Sequence, residues 1–124
     1  MLTVELPWPP SVNSCWRAIV QGKKKPVARV ILSAKGREFR EDAIKCCQAQ
    51  NVSGLKLEGR LTVVIELYPP SRHRRDVDNY SKAALDALTH AKVWADDEQV
   101  DHLSIIRRDI RKGGKAVITI EQAS

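Results

Sequence analysis

The chain has 124 residues, of which 43% are hydrophobic and 29% are charged. This length allows one hydrophobic core, and this composition excludes a disordered or fibrous protein, so we expect a single folded domain over residues 1–124. Lys and Arg outnumber Asp and Glu by 21 to 15, giving a net charge of +6. Such a charge favours a polyanionic partner, either nucleic acid or an anionic membrane surface.

The amino-terminal stretch MLTVELPWPPSVN lacks the basic start and apolar run of a secretory signal. No segment reaches the roughly 20 apolar residues of a membrane span, so we expect a cytoplasmic protein with no membrane partner. Cys15, Cys46 and Cys47 have no C-x-x-C spacing. This pattern does not favour a zinc site, and we expect buried or unreactive thiols.

The first third of the chain predicts strands. Residues 2–6 alternate as in a half-buried strand that Pro7 ends. Two apolar runs, 16–20 and 27–32, flank the sequence GKKKP at 22–26, which indicates a hairpin with a basic tip. Lys23, Lys24 and Lys25 in that tip could contact phosphates or could simply be solvated.

The remainder predicts two helices and further strands. Ser33 can cap a helix from about residue 34 to residue 50, a strand follows at 60–68, and a second helix covers roughly 79–91. Two apolar-rich runs, 103–110 and 116–121, are separated by RKGGK and suggest a closing hairpin. The order of elements predicts an α+β domain with a mixed sheet and two helices.

Carboxylates are concentrated where the second helix begins and where it ends. Asp76 and Asp78 are two residues apart in a segment predicted to be extended, so their side chains should point to one side. Lys82 follows Asp78 by four residues and lies on the same helical face. Asp96, Asp97 and Glu98 follow the helix, and one of them can approach the pair if the helix packs antiparallel to the next strand.

Two interpretations fit these carboxylates. Converging carboxylates repel one another, and hard divalent cations such as Mg²⁺ relieve that repulsion while binding substrate phosphates. The basic run of Arg72, Arg74 and Arg75 with His73 would then hold DNA beside the metal. The alternative is structural: Asp78 as a helix cap paired with Lys82, and residues 96–98 as a polar turn.

Several motifs resemble the RusA family of Holliday-junction resolvases, which cut four-way DNA junctions. RRDVDNYSKAALDAL at 74–88 and VWADDEQV at 93–100 are similar to the core signature of that family. LPWPPSVN at 6–13, with Arg17 soon after Asn13, resembles its first strand and loop. The turn KGG at 112–114 is also similar, so the resemblance spans the chain.

The resemblance implies residue roles and a cofactor. It implies that Asp76, Asp78 and Asp97 are catalytic carboxylates that bind Mg²⁺, with Mn²⁺ as a substitute, and that Lys82 is also catalytic. It implies DNA contacts by the basic run before the D-x-D motif, and we add other polar and basic residues as candidate DNA ligands. The candidate DNA ligands are Arg72, Arg74, Arg75, Asn13, Arg17, Lys23, Lys24 and Lys25.

The resemblance further implies a homodimer that binds four-way junction DNA. Whether the protein serves a phage, a prophage or the host is left open by the sequence. A two-fold dimer presents two identical sites with the symmetry of paired cuts. Two other functions remain open from the sequence. One is a junction-binding or single-strand-binding protein without catalysis, and the other is a magnesium nuclease for other branched DNA.

Overall fold

A computed structural model describes residues 1–123 of the chain as six strands, three α-helices and two single-turn 3-10 helices. The strands are β1 (Leu2–Pro7), β2 (Trp16–Gln21), β3 (Val27–Leu32), β4 (Leu61–Tyr68), β5 (Val100–Arg107) and β6 (Lys115–Gln122). The helices are α1 (Val12–Cys15), α2 (Ala34–Ala49) and α3 (Ser81–His90), and the 3-10 helices are Val77–Asn79 and Asp97–Gln99. The α+β class is confirmed.

The main sheet has four strands in the order β1-β6-β4-β5. β6 runs antiparallel to both β1 and β4, whereas β5 runs parallel to β4, so the predicted mixed sheet is confirmed. The predicted hairpin between the last two strands is wrong. β4 lies between β5 and β6, and the segment containing RKGGK connects two strands that do not pair.

Both long helices pack on one face of this sheet. The side chains at alternate positions of β4, from Leu61 to Leu67, are buried. They meet Phe39 and Ala43 of α2 and Leu88 of α3 in a single core. Alternation with period two in β4 and apolar stripes on the helices produce this layer, as the sequence predicts.

The starts and number of the helices differ in part from prediction. The Ser33 hydroxyl accepts a hydrogen bond from Gly36 N at 3.0 Å, which confirms the predicted cap of α2. A third helix, the single-turn α1, was not predicted because four residues carry no periodicity; Ser11 caps it by accepting from Ser14 N. The segment predicted to be extended through Asp78 is also wrong in part, since Val77–Asn79 is a 3-10 helix.

Strands β2 and β3 form the predicted hairpin, which we call the arm (residues 16–32). They make their own two-stranded sheet, and most arm residues are exposed. The arm projects from the main body with Lys23, Lys24 and Lys25 at its tip. Its base is held where the Ser33 hydroxyl donates to Cys15 O at 3.1 Å.

The expectation of buried thiols is confirmed for two of the three cysteines. Cys15 and Cys47 are buried, Cys46 is partly buried, and all three are free thiols. Burial raises the pKa of each, and raises that of Cys47 to about 11. Among residues 1–123, no helix is long and apolar enough to cross a membrane.

Candidate active site and nucleic-acid interface

Asp76 and Asp78 lie in the turn that leads into α3 from the segment 71–75, which we call the arginine-rich loop. Asp76 has extended backbone angles (φ −90°, ψ 129°) and precedes the 3-10 helix that contains Asp78. This 3-10 helix contacts both α3 and β5. The predicted pair is therefore located at the amino end of α3, where the helix dipole favours negative charge.

Both carboxylates are exposed and available to a ligand. The Asp76 side chain makes no capping hydrogen bond, although its position is that of a cap. In the described part of the chain, no Lys, Arg or His forms an ion pair with Asp76 or Asp78. Two exposed carboxylates that are two residues apart and form no ion pair within residues 1–123 are suited to hold an external cation.

Asp97 follows α3 in the chain. It lies in the 3-10 helix that precedes β5. This 3-10 helix contacts α3, and a capping box between Asp96 and Gln99 stabilises its start. The pKa of Asp97 is raised, first by partial desolvation of an otherwise exposed side chain, then by its hydrogen bond with Asp96 and by the charges of Asp96 and Asp86. Asp97 is thus near other carboxylates and forms no ion pair among residues 1–123.

The three predicted metal ligands do not form one group. Within residues 1–123, no three His, Cys, Asp or Glu side chains are close enough together to hold a metal ion. The donor chemistry of Asp76 and Asp78 nevertheless fits a hard divalent cation, because Mg²⁺ needs only one or two protein carboxylates when waters and phosphate oxygens complete its octahedron. The role of Asp97 as a third ligand stays a prediction.

Lys82 lies in the first turn of α3 but does not pair with Asp78. Its ammonium group lies 4.9 Å from the centroid of the Trp16 ring, a cation–π contact with the base of the arm. No ion pair within residues 1–123 involves Lys82. The Lys82 side chain is exposed, so its charge is available to a phosphate. Binding a phosphate would replace the cation–π contact with Trp16, which is worth about 0.5–1 kcal/mol.

The arginine-rich loop contains one structural and two exposed arginines. The Arg75 guanidinium donates to Ser71 O at 3.0 Å and to Ser71 Oγ at 2.9 Å, and it lies 5.6 Å from the Trp8 ring. Arg72 and Arg74 are exposed and form no ion pair within the described chain. The loop is thus held by Arg75 and presents Arg72 and Arg74 to solvent.

The remaining predicted DNA ligands are on or near the arm. Asn13 in α1 and Arg17 in β2 are exposed, as are Lys23, Lys24 and Lys25 at the tip. Asn13 and Arg17 are near the base of the arm, where Lys82 contacts Trp16, and the three lysines are at its far end.

Sequence reasoning missed two further arginines beside this loop. Arg107 is the last residue of β5 and Arg108 follows it, and Arg107 donates a hydrogen bond to Arg75 O. They come beside the loop because β5 is parallel to β4, so that both strands end at the same edge of the sheet. Recognising β5 as a parallel strand would have revealed them, whereas the predicted hairpin hid them.

Comparison with known proteins gives a consistent result. A family model described as Endodeoxyribonuclease RusA matches residues 7–121. Proteins named crossover junction endodeoxyribonuclease RusA from Shigella sonnei (strain Ss046) and Escherichia coli (strain K12) are each 34% identical over 120 residues, which cover 97% of this chain and 93% of theirs. The protein of that name from Enterobacteria phage 82 is 34% identical over 119 residues, covering 96% and 92%.

Proposed function

The chain belongs to the RusA family, and from this premise we propose that it is an endodeoxyribonuclease that resolves four-way DNA junctions by paired cuts. The observation that carries the proposal is the pair of exposed, unpartnered carboxylates, Asp76 and Asp78, directly after the arginine-rich loop. Neither carboxylate forms an ion pair within residues 1–123, whereas metal-dependent phosphodiester hydrolysis uses such carboxylates to hold the ion. Because the substrate is DNA of the host, a phage or a prophage, we place the enzyme in the cytoplasm.

We assign the chemistry to one edge of the molecule. Asp76 and Asp78 would hold a divalent cation, for which Mg²⁺ is the natural choice and Mn²⁺ a substitute. When bound, such an ion polarises the phosphodiester and lowers the pKa of a bound water. Arg72 and Arg74 would bind flanking phosphates, and Lys82 would leave the Trp16 ring to offset charge on the scissile phosphate or departing oxygen.

We also propose a homodimer, because a junction must be cut at two symmetric positions. The arm supports this assembly. Partner residues in an antiparallel pair share a face, so Trp16, Ala18 and Val20 of β2 lie on one face with Ala28, Val30 and Leu32 of β3. That face is entirely apolar, yet Val20 and Val30 are 71% and 69% exposed in one chain. A second copy is the partner that would bury it.

The decisive experiment is cleavage of a synthetic four-way junction beside a linear duplex of the same sequence, with and without Mg²⁺, with cut positions read on all four strands. We expect paired cuts on opposing strands, on the junction only and with metal only. Equal cutting of the duplex, or cutting in the presence of a chelator, would contradict the proposal. Replication forks and flaps in the same assay test the broader possibility of a nuclease for other branched DNA.

One observation favours a second candidate function. Within residues 1–123 the three predicted carboxylates are not grouped, as a protein that binds junctions without cutting them would allow. Tight and selective junction binding without cuts in either Mg²⁺ or Mn²⁺ would support this alternative. Binding would then be indifferent to Asp76 and Asp78, and the arginines alone would carry it.

A further inference from the structure

A cavity of about 430 Å³ lies beside the D-x-D turn, between the arginine-rich loop and the end of β5. Pockets of this size class accommodate small organic groups. Val77 lines the cavity, whereas its neighbours Asp76 and Asp78 do not. The cavity and the carboxylates therefore occupy adjacent positions on the same turn without overlapping.

The rim of this cavity is strongly cationic. Five arginines line it, namely Arg72, Arg74, Arg75, Arg107 and Arg108. Arg108 is paired with Glu66 at 2.8 Å, and the one acidic lining residue, Asp109, is paired with Arg111 at 2.8 Å. The acidic residue that lines the cavity is thus already paired, and Arg72 and Arg74, which form no ion pair within residues 1–123, can bind an anion.

The interior of the cavity is apolar and aromatic. Trp8 and Tyr80 both line it, with ring centroids 4.9 Å apart and planes tilted by 47°. Both side chains are partly buried, as is Val77, and Ile110 lies at the mouth with 41% of its surface exposed. None of these side chains offers a charged partner to a ligand, so the interior suits a flat, weakly polar group.

A nucleotide combines these two properties, because its base has apolar faces and its phosphate is anionic. A paired base inside a duplex has both faces covered by its neighbours, so only an unpaired base can enter a cavity. Aromatic side chains stack on such bases without regard to sequence. At the crossover of a four-way junction, bases are most easily unpaired.

We propose that this cavity binds an unpaired nucleotide at the crossover of the junction, with the base against Trp8 and Tyr80 and the phosphate on Arg72 and Arg74. The inference deepens the proposed function and rests on it. Because the cavity adjoins Asp76 and Asp78, a nucleotide held there fixes which phosphate reaches the carboxylates. It also selects branched DNA over duplex, since in a duplex the base must first be extruded.

The test uses the full-length protein and a four-way junction with 2-aminopurine at the crossover, in a metal-free buffer that prevents cutting. A second junction carries the probe well inside one arm. We expect the fluorescence of the crossover probe to change on binding and that of the arm probe to stay constant. Free 2-aminopurine deoxyribonucleoside monophosphate should give no change; a response to it alone would mean a site for free nucleotides and overturn the inference.

Matched variants localise the effect. Ile110→Glu places a carboxylate at the cavity mouth and should weaken junction binding at least about tenfold while abolishing the crossover signal. Leu55→Glu makes the same change at a residue that is 47% exposed and outside the cavity, and should stay within about twofold of the unmodified protein. Tyr80→Phe should keep the signal and Tyr80→Leu should lose it, with circular dichroism confirming the fold of each.

The outcomes separate this inference from the proposed function. If the unmodified protein binds and cuts junctions while the crossover probe is silent, or if Ile110→Glu keeps both affinity and signal, the cavity inference fails alone. If the protein neither binds nor cuts junctions selectively, the proposed function fails and the inference fails with it.

Discussion

At the scale of single residues, Asp76 and Asp78 are expected to contribute to cleavage and little to the stability of the fold. The Asp76 side chain makes no capping hydrogen bond, and neither carboxylate forms an ion pair within residues 1–123, so Asn at either position removes a charge but no described contact of this kind. We therefore predict that Asp76→Asn and Asp78→Asn change the free energy of unfolding by less than about 0.5 kcal/mol. Each should nevertheless abolish metal-dependent cleavage while junction binding persists.

Single-turnover cleavage and a gel-shift assay measure the two properties separately. Asp42→Asn provides the control, because Asp42 is exposed on α2 and has no ion pair within residues 1–123. Full activity in Asp76→Asn would remove this residue from the catalytic assignment.

Cys47 makes stability depend on alkaline pH. It is fully buried, and burial raises the pKa of its thiol to about 11, against roughly 8.5 for an exposed cysteine. Between these values the unfolded chain loses a proton that the folded chain keeps, so the folded state loses stability as pH rises through this window. We predict a loss of about 2 kcal/mol from this group between pH 8 and pH 11.

Urea unfolding at several pH values in this range measures the effect. Cys47→Ala should be less stable at neutral pH because it leaves a small cavity, yet it should lack this part of the alkaline decline. Identical pH slopes for the two proteins would contradict the assignment, since all other titrating groups are shared.

Gly36 lies where α2 packs closely against the end of α1, at the base of the arm. A Cβ at this position would lie 2.3 Å from Cys15 O, a backbone atom that cannot rotate away. We predict that Gly36→Ala destabilises the fold by several kcal/mol, although alanine is the better helix former. Gly54→Ala is the control, because its Cβ would meet nothing within 4 Å and only the positive φ of 77° would cost about 1 kcal/mol.

At the scale of elements, the sequence predicts what depends on local pattern. The alternation of β4, the Ser33 cap and the arm hairpin each depend on residues close in the chain, and all three are present. The strand that pairs with β5 is β4, which is separated from it in sequence by α3 and its flanking loops. No local pattern indicates that pairing, so the predicted hairpin of β5 with β6 was wrong. The same distinction applies to the site.

The D-x-D pair was predicted because two residues of spacing suffice to define it. The cavity was not, because it requires the end of β5 to lie beside the loop after β4. Likewise, Arg40 of α2 pairs with Asp86 of α3 at 2.8 Å, and Asp86 in turn contributes to the raised pKa of Asp97. Such relations join segments far apart in sequence, and no local pattern encodes them.

The three lysines at the tip of the arm are candidates for direct contact with DNA phosphates. Each lysine that neutralises a phosphate releases a counterion, so binding weakens with salt in proportion to the number of such contacts. If Lys23, Lys24 and Lys25 contact DNA, replacing all three by Gln should reduce the slope of log K against log salt by up to about three per chain. Titrations at several salt concentrations measure it.

The control for the tip changes the same charge elsewhere. Lys45, Lys56 and Lys92 are exposed on the main body, and their replacement by Gln also removes three positive charges. If both triple variants shift the slope equally, the tip has only a long-range effect and makes no direct contact. A slope that changes only for the tip variant assigns the arm to the DNA interface.

For the whole molecule, the central question is how one chain of 124 residues makes two symmetric cuts. An isolated two-stranded hairpin is marginally stable in water, and this one also exposes an apolar face. Burying that face against a second copy would stabilise the arm and bring two sites under one two-fold axis. Fold stability and paired cutting would then depend on the same surface.

We therefore predict that Val20→Glu and Val30→Glu shift the protein from dimer to monomer in sedimentation equilibrium. Val27→Glu is the matched control, because Val27 is 57% exposed and pairs with Gln21, which places it on the opposite face of the same arm. It makes the same change in charge and should leave the dimer intact.

The monomeric variants should retain the carboxylates but nick junctions on one strand at a time, without paired cuts. Dissociation by Val27→Glu alone would place the dimer contact on the other face, and a monomer in the unmodified protein, with and without DNA, would leave symmetric cutting without its structural basis.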